Sequence, residues 1–496
     1  MDNRTSFWYC STVVAMAVAL VCVCKSSQAA FAFTAGDLVV SVEGDGSNTG
    51  SYGDNQAAPL TLYQYAINGT SAAAFAGSLE LPQTSSGANY AISGEYGSSS
   101  EGGLQLSGNG QYLTIMGYGV NADAFNASPA TYSLSSANAA LAQSGSLTGQ
   151  SYTAVPRVVA EIGADGSVDT STALYGVFDG NNPRSAYTVD GSSFYVSGQG
   201  TSGDATGGVF YATKGSTSAT SITGADAGSG ASQDTRTVQV YNGQLYVSSD
   251  SKSGATNRDY IGTLGAQGSL PTTVANGGNG PAMLPGFGNT GGTGKVTITA
   301  GSASNGNGLN AGKQINLSPE NYVFANNGTV LYVADSGSPK NTSATSAVGD
   351  GGLQKWSFTG AAWTLDYTLA GGLGLVANTA TSGTTGLLGL TGTQVIINGI
   401  AEEELFATNY TIGDTDQTYL YGITDLLSAT TPPTNEQFAQ LALAPADSNF
   451  KGVAFAPTAA PVPLPESFLL LLSGMGMVGA LAARRSRPAT LTEVGP

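Results

Sequence analysis

One unit recurs through the chain: a strand of alternating polarity, a tight turn on Asn-Gly, Asp-Gly or Gly-Asn-Gly, then a second strand with an aromatic near its start. Five copies are legible, at Leu104–Ile115, Ala186–Val196, Val238–Val247, Tyr322–Val333 and Val395–Phe406. Alternation places every second side chain on one face, and Asn-Gly or Asp-Gly supplies the positive φ values that a primed hairpin turn needs. The unit therefore predicts β-hairpins, and its repetition predicts an all-β chain. After the first four hairpins come Gly- and Ser-rich loops and further strand-like runs, such as Gly207–Thr213 and Gly352–Phe358. Two hairpins make a four-stranded sheet.

Successive hairpins begin roughly 50 to 85 residues apart, more than the ~40–50 of a regular blade repeat, so long loops or further strands fill the gaps. The stretch 278–312 is the clearest insertion. Radial repetition of such sheets protects their edges, and closing the ring joins the two ends of the domain. Gly36–Val42 and Phe450–Pro457 are strand-like runs placed to do so. The expectation is an irregular β-propeller of six or seven blades over residues 33–457, with a β-helix or a pair of β-sandwiches as the alternative. The hairpins resemble those of propeller proteins with YVTN-type or Kelch-like blades, although no Trp-Asp pair repeats.

Composition removes whole classes of chemistry. Histidine is absent, and the three cysteines, Cys10, Cys22 and Cys24, all precede residue 30. The rest of the chain therefore has no disulfide, no Cys or His zinc site, no Ser-His-Asp triad and no Cys-His dyad. All but two acidic residues (Asp2, Glu493) and five basic ones (Arg4, Lys25, Arg484, Arg485, Arg487) lie between Ala30 and Glu466, giving that span 31 acidic and 11 basic residues and a net charge of −20. Phosphate neutralisation needs clustered Lys and Arg, so nucleic acid is excluded as an expected partner.

Both ends read as targeting segments. At the amino end Arg4 precedes an apolar run, Val13 to Cys24, and small residues follow, so residues 1–32 are expected to be a secretory signal peptide cleaved after Ala29 or Ala32. At the carboxyl end Val462-Pro463-Leu464-Pro465-Glu466-Ser467 is followed by sixteen uncharged residues, Phe468 to Ala483, and by Arg484-Arg485-Ser486-Arg487. Sixteen helical residues span about 24 Å against a hydrocarbon core of ~30 Å, which suits a temporary hold. The arginines stay on the cytoplasmic side by the positive-inside rule.

This tail resembles the PEP-CTERM sorting domain of Gram-negative bacteria over residues 462–487, with Ser467 where the family usually has a second proline. The resemblance implies an exosortase-type processing enzyme as partner, transient inner-membrane anchoring, and delivery to the cell surface or an exopolysaccharide matrix. The residues that carry it are Val462, Pro463, Pro465, Glu466, Ser467, Arg484, Arg485 and Arg487. Residues 458–464 form a linker, 465–487 the sorting and membrane segment with its apolar helix, and 488–496 a cytoplasmic tail. A permanent single span is the alternative.

Motifs for chemistry are few. Gly291–Thr297 lacks the spacing of a phosphate loop, and Val296 stands where a magnesium-binding Ser or Thr is needed. The acidic pairs Glu43/Asp45, Asp165/Asp169 and Asp414/Asp416 match no calcium-loop pattern. Glu402-Glu403-Glu404 alternates faces in a strand and reads as solvated edge residues. Trp356 and Trp363 offer sugar stacking, with burial between sheets the stronger reading. Ser249 and Lys252 have a Ser-x-x-Lys spacing in a hairpin loop. No catalytic residue, metal ligand or cofactor site is nominated. The expectation is a non-enzymatic structural or binding module, with a carboxylate-dependent polysaccharide hydrolase or lyase as the alternative.

Overall fold

The computed structural model describes residues 31–134, 139–201, 203–224, 234–251, 258–287, 295–297, 314–337, 351–377, 379–460 and 495. The fold is all-β, as expected. In chain order the strands are β1 (Leu38–Gly44), β2 (Ala57–Asn68) and β3 (Ala72–Glu80), then β4 (Ser93–Glu95), β5 (Gln105–Leu106), β6 (Tyr112–Tyr118), β7 (Arg157–Gly163) and β8 (Val168–Leu174). Next come β9 (Pro183–Tyr187), β10 (Ser193–Gly198), β11 (Gly208–Thr213) and β12 (Thr220–Ser221), then β13 (Thr235–Tyr241), β14 (Gln244–Ser251), β15 (Arg258–Leu264) and β16 (Ala282–Met283). A separate hairpin, β17 (Lys295–Thr297) with β18 (Gln314–Asn316), precedes β19 (Pro319–Ala325), β20 (Val330–Asp335), β21 (Gly352–Phe358) and β22 (Trp363–Leu369). The last strands are β23 (Thr384–Ile397), β24 (Ile400–Thr411), β25 (Tyr419–Leu426), β26 (Ala439–Leu443) and β27 (Ser448–Phe455).

All five hairpins read from the sequence are antiparallel pairs. Their turns use the conformations that only these residues adopt cheaply: Asn242 and Gly243 lie at φ 46° and 74°, Asn398 and Gly399 at φ 52° and 81°. Four meanders, β9–β12, β13–β16, β19–β22 and β23–β26, follow chain order. Apart from the β17–β18 pair, the remaining strands, β1–β8 and β27, form one larger sheet in which β4 joins β2 to β6. Within it β27 pairs with β1, Leu38 opposite Phe455 and Gly44 opposite Ser448, so the two strand-like runs at the domain's ends do meet.

The first strands of the groups lie side by side in the order β5, β9, β13, β19, β23, β27 and back to β5. Each neighbouring pair of groups shares an apolar layer. Between β13–β16 and β19–β22, for example, Phe287 stacks on Trp356 at 4.0 Å beside Ile261, Leu331 and Val333. Between β23–β26 and the closing strands, Phe406, Leu420 and Phe450 pack on Val40 and Tyr65. These layers, with no disulfide, are what stabilise the fold.

Candidate functional site

The six first strands converge on an axis and run in the same direction along it. At the end where they enter, Arg184, Arg236 and Glu320 are the second residues of β9, β13 and β19, and they meet Lys451 of β27 and Glu101 from the loop before β5. All five are buried. Arg236 Nη1 stands 3.4 Å from Glu320 Oε2, and its Nη2 lies 3.3 Å from Asp250 Oδ2 and 3.4 Å from Asp234 Oδ1. Arg184 pairs with Asp234 and donates to Gln199 Oε1 at 2.9 Å. Lys451 Nζ donates to the Ser98 carbonyl and sits 3.6 Å from Glu43 Oε2. The space among these groups is about 20 Å³, room for roughly one water.

Burial dominates the protonation of this layer. It pushes Glu320 up to about 7, opposed by Arg236 and reinforced by Asp250. Glu43 rises to about 8 through burial, against the pull of Lys451 and with the push of Glu101. Glu95 and Glu101 are raised by the same desolvation. Glu101 accepts from Tyr118 Oη and from Asn182 Nδ2 at 2.5 Å, and Arg157 lies 4.6 Å over the Tyr118 ring.

Further along the axis Gln239 crosses the bore. Its Nε2 donates to Gln105 Oε1 at 3.1 Å and the Tyr322 carbonyl at 3.2 Å, linking β5 to β19 through β13. Beyond this crossbar a cavity of about 210 Å³ opens among the hairpin turns, lined by Tyr187, Tyr241, Phe324, Thr391 and Ala454. Tyr241 and Phe324 stack at 4.5 Å. A larger lateral cleft of about 440 Å³ lies between residues 372–384 and β25–β26. Its acid, Asp416, accepts from Gly383 N at 2.9 Å and Gly413 N at 2.8 Å, so the carboxylate holds the loop together.

A second ionic cluster is sealed between β20–β22 and β24–β25. Lys355 Nζ donates to Asp425 Oδ2 at 2.7 Å, the Leu426 carbonyl at 2.6 Å and Tyr367 Oη at 3.1 Å, which uses all three ammonium protons. Tyr332 and Tyr367 donate to the same carboxylate at 2.5 and 2.7 Å. Lys355 and Asp425 are fully buried.

The residues nominated from the sequence fare differently. Ala29, Val462, Pro463, Pro465, Glu466, Ser467, Arg484, Arg485 and Arg487 lie outside the described residues, as do Lys252 and most of Gly291–Thr297. Ala32 is exposed, between Phe31 and Phe33, whose rings meet edge-on at 4.9 Å. Trp356 and Trp363 are buried, which removes them as sugar platforms. Glu43 and Asp45 part company: Glu43 enters the axial layer, whereas Asp45 is exposed and caps Ser47 N at 3.0 Å. Asp165 and Asp169 likewise serve Ser167 and Lys214. Among the described residues no group of three acidic side chains is arranged to hold a metal. Glu403 corrects the reading of its triplet: it is buried, and desolvation with Asp425 nearby raises it to about 7.

The axial layer was missed, although its signal was present. Arg184, Arg236 and Glu320 each stand six residues before the Asp or Asn of their turns, Asp190, Asn242 and Asn326.

No family model matches the chain, and no curated protein matches it. Among solved structures it is similar to a hypothetical selenium-binding protein from Sulfolobus tokodaii, with 11% identity over 87% of this chain and 97% of that one and a TM-score of 0.40. It is also similar to an endo-1,5-alpha-L-arabinanase from Thermotoga petrophila RKU-1, with 9% identity over 84% and 77% of the two chains and a TM-score of 0.25. Likeness at this level carries no functional conclusion.

Proposed function

We propose that the chain is a six-bladed β-propeller, exported and sorted by a PEP-CTERM-like tail, that works at the cell surface or in an exopolysaccharide matrix as a structural or binding module rather than as an enzyme. The ring of first strands and the pairing of β27 with β1 support the propeller. One observation carries the functional part: where the first strands bring carboxylates together, all but the half-buried Asp234 are buried among Arg184, Arg236 and Lys451 or hydrogen-bonded neighbours, around a space too small for a sugar. Glycoside hydrolysis requires two carboxyl groups flanking an admitted substrate. Binding is therefore assigned to outer surfaces such as the turn-side cavity and the lateral cleft.

Two measurements test this. The secreted chain, screened in parallel for binding and for depolymerisation of the host's extracellular polysaccharides, should bind without releasing reducing ends. Release that Glu320→Gln abolishes would establish the hydrolase instead. Intact mass of the exported protein should lack Arg484 to Pro496, and recovery of full-length chains would replace the sorting tail with a permanent span.

A further inference from the structure

The turn-side face carries a feature that the ring does not need. Past the cavity-lining residues Leu390–Gly392, β23 runs on through Thr393 to Ile397 before turning, about 16 Å at ~3.3 Å per residue. By contrast β13 turns immediately after Tyr241. β25 ends at Leu426, opposite Glu402, and Leu427 N reaches the Ala401 carbonyl, so the tip from Ile396 to Ile400 projects beyond its own meander. That tip exposes three large apolar side chains: Ile396 is 65%, Ile397 38% and Ile400 50% exposed.

The chain leaves the fold on the same face. β27 runs in the same axial direction as β23, from Lys451 in the charged layer past Val453 and Ala454 in the cavity. Thr458 N then donates to the carbonyl of Gly110, in the turn of the β5–β6 hairpin, at 2.8 Å. From Thr458 to Phe468, where the sixteen-residue apolar segment begins, roughly ten residues can reach at most about 35 Å. A chain held by that segment keeps this face toward the bilayer.

We propose that the β23–β24 tip is a lipid-contacting hairpin: while the tail anchors the chain, Ile396, Ile397 and Ile400 enter the interfacial region of the bilayer and orient the turn-side face against it. This rests on the tail being a membrane segment. Exposed aliphatic side chains partition into the headgroup and acyl boundary without a spanning element. Glu402 and Glu404, next along β24, match a zwitterionic surface better than an anionic one.

The chain from Ala30 to Pro496 contains no cysteine, so Ile396→Cys carries a polarity-sensitive dye at one site. Ser51→Cys, in the exposed β1–β2 loop at the opposite end of the ring, is the control. Both proteins are mixed with phosphatidylcholine vesicles and floated, and dye emission is read with and without lipids that carry a shallow quencher. The expected result is co-flotation of both, with a blue shift and about twofold quenching at position 396 and none at position 51. Co-flotation with an unshifted, unquenched dye at 396 overturns the lipid-contacting hairpin and leaves the membrane tail standing. Absence of co-flotation overturns both. A blue shift at 396 that grows with protein concentration in the absence of vesicles assigns the tip to a second copy of the chain and also overturns the proposal.

Discussion

Replacing Glu320 by glutamine should change how stability depends on pH more than it changes stability itself. In the folded chain burial raises this carboxyl from 4.5 to about 7, with Arg236 and Arg184 opposing and Asp250 and Asp234 reinforcing. A raised carboxyl pKa means that the folded state holds a proton the unfolded chain has released. Its contribution is therefore fully present below pH 4.5 and is lost as pH rises toward 7. At about 1.36 kcal/mol per unit the loss at Glu320 is roughly 3 kcal/mol. Glu43, at about 8, acts in the same direction and extends the decline into mildly alkaline solution. Urea unfolding of the secreted chain, followed by the fluorescence of Trp356 and Trp363, should show the wild type stronger at pH 4.5 than at pH 7. Glu320→Gln removes one titrating group, so its profile should be flatter by roughly 3 kcal/mol between pH 4.5 and 7. Parallel profiles for the two proteins would refute the link between burial at the axis and protonation.

Three further outcomes follow from the packing. Lys355→Met leaves Asp425 buried without its cation and should cost about 3–5 kcal/mol, with part of the loss recovered in a Lys355→Met, Asp425→Leu double mutant; a thermodynamic cycle measures the coupling. Phe450→Ala, at a fully buried position on the closing strand, should lose about 3–5 kcal/mol and bring early proteolytic cuts near both ends of the domain. Signal cleavage should fall after Ala29 rather than Ala32, because Phe31 packs on Phe33 and against Gly77 and Gly166; amino-terminal sequencing of the secreted protein that begins at Phe33 would refute this.

Local pattern was enough for the hairpins and for the closing pair, because a two-residue period and Asn-Gly turns are decided within a dozen residues. Their wide spacing is explained by two additional strands per group and by long connections, such as the one between Tyr118 and Arg157. What local pattern misses is a polar side chain buried by distant elements. Lys355 looks like an outward-facing residue until β25, some seventy positions later, brings Asp425 against it. Glu403 looks solvated until β25 pairs with β24 and sets Asp425 opposite it. Alternation marks two faces of a strand but cannot tell whether the second face meets solvent or another sheet.

The axial layer has a further consequence for what the protein can do. Four cations, Arg157, Arg184, Arg236 and Lys451, face six acids, Asp234, Asp250, Glu320, Glu43, Glu101 and Glu95. Among these acids, Glu320, Glu43, Glu101 and Glu95 are all raised chiefly by desolvation. Charge balance at the centre of the ring is thus reached partly by holding protons on carboxyl groups, since too few cations are present to neutralise them all. A protonated carboxyl in a buried layer can donate a hydrogen bond across the axis and so tie neighbouring first strands together. The same carboxyl, if it served hydrolysis, would need an open path to substrate and a partner free to ionise. The tightly packed geometry around Glu320 favours the first role, and the flattened pH profile expected of Glu320→Gln tests the protonation on which that role depends.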